Sequence, residues 1–164
     1  MRTVSLTNQL CTKVRLGGVK VFTMNRLLIH QKPNLVEVSY RPELAAVYLK
    51  RIDEYDEGTG VRDAVLAALR WVRANDVKHW VADVSTSPRA LSDVDYQWVS
   101  GGELRSEVTN SILRKFVLLP PSPASGQGDA WVADWEANTL AKFGDRITAK
   151  VCQNIEEVRA FLMC

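Results

Sequence analysis

The fold class follows from the stretch KHWVADV at residues 78–84. This stretch is mostly apolar, too short for a helix and bounded by polar residues, which predicts a central β-strand. Before it, apolar side chains recur at helical spacing at Val61, Val65, Leu69 and Val72, and a second helical pattern follows it from Ser92. A strand between two helices indicates parallel neighbours joined by right-handed crossovers, as in α/β domains.

The rest of the chain continues this alternation. Three short runs rich in branched and aromatic residues, at 26–31, 35–40 and 45–52, predict an opening antiparallel hairpin or meander. Further elements are predicted as helix 92–101, strand 112–119, helix 132–143, strand 146–152 and helix 154–162. We therefore expect an α/β domain with a mixed, mostly parallel sheet, an antiparallel N-terminal hairpin and about four helices.

The first 23 residues differ from this pattern. They contain four basic residues and no acidic one, and they lack the apolar stretch of roughly 7 to 15 residues found in a secretory signal. We interpret them as a flexible basic arm or as an extension from an upstream start codon, in which case Met24 is the true beginning. The remaining residues, 24–164, are predicted to form one domain.

Charge and composition exclude several classes of function. The net charge is +2 and the basic residues are spread along the chain, which argues against nucleic-acid binding. No apolar run approaches the roughly 18 residues that span a bilayer, so no membrane span is predicted. Three widely spaced cysteines, Cys11, Cys152 and Cys164, are typical of reduced thiols in the cytoplasm.

The residue types needed for catalysis or metal binding do not form a recognisable pattern. His30 and His79 fall on different predicted strands, so no metal site is predicted. No Gly-x-Ser-x-Gly motif is present, and no Gly-Lys-Ser/Thr follows the glycines at 58 and 60. We accordingly expect no cofactor and no enzymatic activity.

A resemblance to a known family begins at the central strand. The run WVADV at 80–84, a seven-residue gap, Ser92-Asp93 and then Trp98 resembles the STAS family of sulfate transporters and anti-sigma-factor antagonists. The ending NIEEVRAFL at 154–162 is similar to the short terminal helix of small stand-alone bacterial STAS-like proteins. The resemblance covers roughly residues 25–162 and implies a non-enzymatic regulatory module that binds a protein partner.

Ser92 is the residue at which that resemblance implies a switch. Anti-sigma-factor antagonists carry a phosphorylatable serine after an aspartate, whereas Ser92 follows Leu91. A helix N-cap is the second interpretation, because a carboxylate at Asp95 stands three residues further on. Both roles, phospho-acceptor and cap, are open at this point.

A partner-binding rim is predicted around this serine. Open α/β sheets place ligand sites beyond the carboxyl ends of their strands, and Asp83 occupies such an end. The predicted rim consists of Asp83, Ser85, Arg89, Asp93 and Asp95. Asp83 has a second interpretation, in which its carboxylate satisfies backbone donors of the loop that follows.

The five tryptophans support an alternative function. Most are expected in the core, because these side chains bury large areas. Trp98, Trp131 and Trp135 are also predicted to line a pocket between helix and sheet, which makes the chain a carrier of a small hydrophobic ligand or lipid. The exposed edge of the opening hairpin would in addition allow a homodimer.

Overall fold

The computed structural model describes residues 26–52, 58–87, 91–125 and 129–164. Within them, six strands form one sheet: β1 (Leu27–Lys32), β2 (Val36–Arg41), β3 (Ala46–Arg51), β4 (His79–Asp83), β5 (Lys115–Leu119) and β6 (Thr148–Val151). The described part also contains five α-helices: α1 (Gly60–Asn75), α2 (Asp93–Ser100), α3 (Gly102–Thr109), α4 (Trp135–Phe143) and α5 (Ile155–Met163). The basic segment 1–23 lies outside the described residues, so both of its interpretations stay predictions.

The sheet follows the order of the chain. Its strands run β1-β2-β3-β4-β5-β6, with β1–β2 and β2–β3 antiparallel and the remaining pairs parallel. Val81 in β4 lies opposite Tyr48 in β3 and Val117 in β5, so the stretch that indicated the fold class is a central strand. The predicted α/β class and the mixed sheet with an antiparallel N-terminal hairpin are confirmed.

The helix count differs from the prediction of about four. The pattern from Ser92 was expected to form one helix weakened at its glycines, and it forms two, α2 and α3. Gly101 separates them with an extended backbone, at φ −82° and ψ 179°. A Cβ at this position would lie 3.0 Å from the Gln97 carbonyl oxygen, so glycine suits this sharp change of direction.

Both faces of the sheet are covered, each by a different set of helices. Val47 and Leu49 of β3 and Trp80 of β4 share a core with α1, α2 and α3, and Phe143 of α4 packs against it. On the opposite face, α5 packs over a smaller cluster that includes Tyr48, Val81 and Val117. Strand side chains alternate between faces, so neighbouring residues of β3 belong to different cores.

The edge of the sheet and the lengths of the helices concern two predictions, the homodimer and the absence of a membrane span. β1 is one edge, and it exposes Leu27 and Leu28. The homodimer expected at this edge stays a prediction. In the part of the chain that the structure describes, no helix combines the length and the apolar character needed to cross a membrane.

Replacement of Leu69 tests whether α1 is held by the core. Leu69 is 1% exposed on the sheet side of α1, so Leu69→Ala should lower the free energy of unfolding by roughly 2–5 kcal/mol. Leu140→Ala is the matched control, because Leu140 is 52% exposed and its truncation should cost less than about 0.5 kcal/mol. Urea denaturation measures both, and equal losses would contradict the packing described here.

Candidate functional site

A cavity of about 630 Å³ lies between the sheet and the helices α1, α2, α3 and α4 that cover one of its faces. Its floor is made by side chains of three strands: Leu49, Trp80, Ala82 and Phe116. Its walls come from α1, α2, α3 and α4 and include Val65, Val99, Leu104, Val108 and Phe143. The size and the apolar lining are those of a small-molecule pocket.

Two of the three tryptophans expected to line a pocket are found in this cavity. Trp135 stands at the start of α4, with its ring edge-on to Phe116 at a centroid distance of 6.3 Å. Trp131 lies in the 3₁₀ turn before α4 and is partly exposed. Trp98 is buried in the core instead, and the Arg62 guanidinium lies 5.6 Å from its ring centroid.

Trp80 lines the cavity too, although the sequence did not distinguish it from other core tryptophans. It is two residues before Ala82, so both side chains point to the same face of β4. The sequence signal for the cavity at this place was the pair of a large side chain, Trp80, and a small one, Ala82, on the same face of one strand. That signal does not show whether the space above the alanine is filled.

Polar groups around the cavity are few. Ser100, Asn138 and Thr139 contribute neutral polar atoms, while Arg51 and Lys142 contribute positive charge. The Lys142 ammonium donates a hydrogen bond to the backbone carbonyl of Val99 near the end of α2. Burial, and secondarily the nearby charge of Arg105, lower the pKa of Lys142 below its ordinary value.

Ser92 is the N-cap of α2. Its hydroxyl accepts a hydrogen bond from the backbone N–H of Asp95 at 3.1 Å and donates one to the Gly58 carbonyl oxygen at 3.0 Å. The residue is 3% exposed. The geometry therefore accounts for Ser92 as a cap, and a kinase would have to open this region to reach it. Phosphorylation of Ser92 stays a prediction.

Asp95 connects α2 to the beginning of α1. Its two carboxylate oxygens accept hydrogen bonds from the backbone N–H groups of Val61 and Arg62, each at 3.0 Å. Those donors belong to the first turn of α1, which has no intrahelical acceptors for them. The 2% exposure of Asp95 places this predicted rim residue inside the protein.

Asp83 is also occupied by internal hydrogen bonds. One oxygen accepts from the Tyr48 hydroxyl at 2.6 Å, and the other accepts from the backbone N–H and the hydroxyl of Ser85, at 3.0 and 2.6 Å. The Arg41 guanidinium lies over the Tyr48 ring at 3.5 Å. Burial first, and then the bond to Asp83, raise the pKa of Tyr48 above its ordinary value.

Three of the five predicted rim residues thus make hydrogen bonds within the protein, and the partner-binding role of the rim stays a prediction. Asp83 and Ser85 bind each other, while Asp95 binds the N-terminus of α1. Asp93 is exposed at the start of α2, and Arg89 lies outside the described residues.

The histidines and cysteines do not converge. His30 lies on β1 and His79 on β4, separated in the sheet by β2 and β3. Cys152 is a buried free thiol and Cys164 an exposed one, whereas Cys11 lies outside the described residues. Over the ranges described, no three side chains of His, Cys, Asp or Glu come together as they would around a metal ion.

Comparison of the chain with models of protein families, with curated proteins and with solved structures finds no match. The resemblance to STAS domains is carried by the residues quoted from the sequence, and it stays a hypothesis. The cavity and the exposed side chains around it are the features of the fold that suggest a function.

Replacement of Asp95 tests the link between α1 and α2. Asp95→Asn should lower the free energy of unfolding by about 2 kcal/mol, because hydrogen bonds to charged groups contribute roughly 1.5–3 kcal/mol and the new amide N–H₂ would face a backbone donor. Asp93→Asn is the control, since Asp93 is exposed in the same helical turn and should cost clearly less. Chemical denaturation compares them, and equal losses would rule out the bridging role of Asp95.

Proposed function

We propose that this chain is a non-enzymatic binding module that holds a small apolar molecule between its sheet and the helices α1 to α4. The observation that carries the proposal is the cavity of about 630 Å³ with its mostly apolar lining. Pockets for small molecules typically measure about 300–1,000 Å³ and are lined in the same way.

The size of the cavity supports a ligand over a packing defect. The cavity is open to solvent on one side, where the lining residues Tyr96 and Trp131 are 63% and 41% exposed. Its apolar lining is therefore partly in contact with water, and a concave apolar surface of this size is typical of a ligand site. A ligand removes its own apolar surface and that of the lining from water, and each Å² removed is worth about 25 cal/mol.

A change in the floor of the cavity tests the proposal. The wild-type protein should bind 1-decanol with a change in tryptophan emission, because three tryptophans line the cavity. Ala82→Phe places a ring in that space and should weaken binding at least about tenfold, since roughly 1.4 kcal/mol of lost contact is enough. Native mass spectrometry should likewise show an apolar adduct on freshly purified wild type that this variant lacks.

Ala74→Phe is the matched control, because Ala74 is exposed on α1, away from the lining. It adds the same ring and should leave decanol binding unchanged. If wild type carries no adduct and its emission does not respond to decanol, the cavity is not a ligand site.

We also propose, as a second candidate, that the chain is a STAS-like cytoplasmic regulatory module that docks a protein partner. The supporting observation is the exposure of two apolar side chains on different sides of α2, Val94 by 47% and Tyr96 by 63%. Tyr96 also lines the cavity, so a partner on this helix would contact a residue that touches the ligand.

Capture from a lysate of the native host tests the second candidate. A partner retained by wild type should be lost from Tyr96→Ser, which shortens a side chain that is 63% exposed at the mouth of the cavity, and from Ser92→Asp if the Ser92 switch operates. Leu140→Ser, an exposed change on α4, is the control and should keep the partner. Unchanged capture by both test variants, with no phosphate on Ser92 by mass spectrometry, would eliminate this candidate.

A further inference from the structure

The charged side chains of the cavity lining are all positive. Among the lining residues that the structure describes, two are basic, Arg51 and Lys142, and none is acidic. Arg105 of α3 adds positive charge close enough to Lys142 to act on its ionisation. A purely apolar ligand would remove water from the Lys142 ammonium without giving it a new partner, which is unfavourable.

Lys142 is the cation best placed to meet a ligand. It stands on α4, half-buried, with its stem among the apolar residues of the wall. An ammonium group has three N–H donors, and the hydrogen bond to Val99 uses one of them. Partial burial strengthens the attraction of this group for an anion, because less water screens it.

Arg51 adds positive charge to the same cavity from the end of β3. It is the last residue of β3, and it lines the cavity although it is almost completely buried. It also has another interaction partner, so we assign it a general electrostatic effect and assign the direct contact to Lys142.

We propose that the ligand is an anionic amphiphile, a single-chain fatty carboxylate whose head group binds Lys142 and whose alkyl chain lies along Trp80, Ala82 and Phe116. This inference rests on the proposed function, since it names the chemistry of the molecule that the cavity holds. Charge complementarity selects the anion, and the apolar floor selects the chain. Each added methylene should raise the affinity about fourfold until the cavity is full.

Calorimetric titration with three molecules of the same chain length tests the proposal: decanoate, 1-decanol and decyltrimethylammonium. Without a specific contact the alcohol would bind more tightly than the carboxylate, because desolvation of a charge opposes burial. We expect decanoate to bind at least about tenfold more tightly than decanol, the size of effect that one charged hydrogen bond supplies, and the cationic amphiphile to bind weakest.

The three affinities distinguish a failure of anion selection from a failure of ligand binding itself. If decanol binds as tightly as decanoate, the inference is overturned and the apolar carrier function stands. If none of the three molecules binds, the proposed function fails and the inference fails with it. If the cationic amphiphile binds best, the lining does not select an anion.

Variants of Lys142 locate the contact. Lys142→Met keeps an unbranched apolar stem and should weaken decanoate binding about tenfold or more, whereas decanol binding should stay the same or become stronger because no cation is then desolvated. Lys142→Arg should retain most of the affinity for decanoate. Lys78→Met is the matched control, because it removes the same charge from an exposed position outside the lining, and it should change the decanoate affinity by less than about twofold.

An equal loss of decanoate and decanol binding in Lys142→Met would mean that this residue only shapes the cavity, and would overturn the assignment. Thermal denaturation of each variant shows whether it is folded. Should Lys142→Met fail to fold, the order of affinities of wild type for the three molecules still decides the proposal.

Discussion

The handedness of the crossovers is the constraint on which the rest of this structure depends. From β3 onward each strand lies parallel to the next one along the chain, and the sheet keeps the order of the sequence. Right-handed connections between successive neighbours all cross the same face of a sheet. The helices α1, α2, α3 and α4 therefore collect on one side, and α5, which follows the edge strand, covers the other.

The cavity is a consequence of how that crowded side is filled. The connection from β4 to β5 uses two short helices divided at Gly101, which cover the sheet less continuously than one long helix. At the other wall, Phe143 and Trp135 of α4 stand on Phe116, with ring centroids 6.2 and 6.3 Å apart. These rings separate α4 from the strands, and the space beside them stays open above Ala82.

The polar residues at the ends of these elements serve the fold. Asp95 holds the first turn of α1, Ser92 caps α2 and bonds to Gly58, and Asp83 binds Tyr48 and its own loop. Helix ends and strand ends leave backbone groups without partners, and buried groups of this kind need an acceptor or a donor. Polar side chains in such loops therefore resemble sites in a sequence while they satisfy backbone groups in the structure.

The sequence by itself determined the α/β class, the order of the elements and the antiparallel hairpin, because periodicity and turn residues are local properties. It also indicated the cap at Ser92 and two cavity tryptophans, Trp131 and Trp135. The division between α2 and α3, the role of Asp95 at α1 and the place of Lys142 beside the cavity depended on the tertiary structure. A cavity is the gap left between side chains of distant elements, so its shape and charge exist only once those elements have packed.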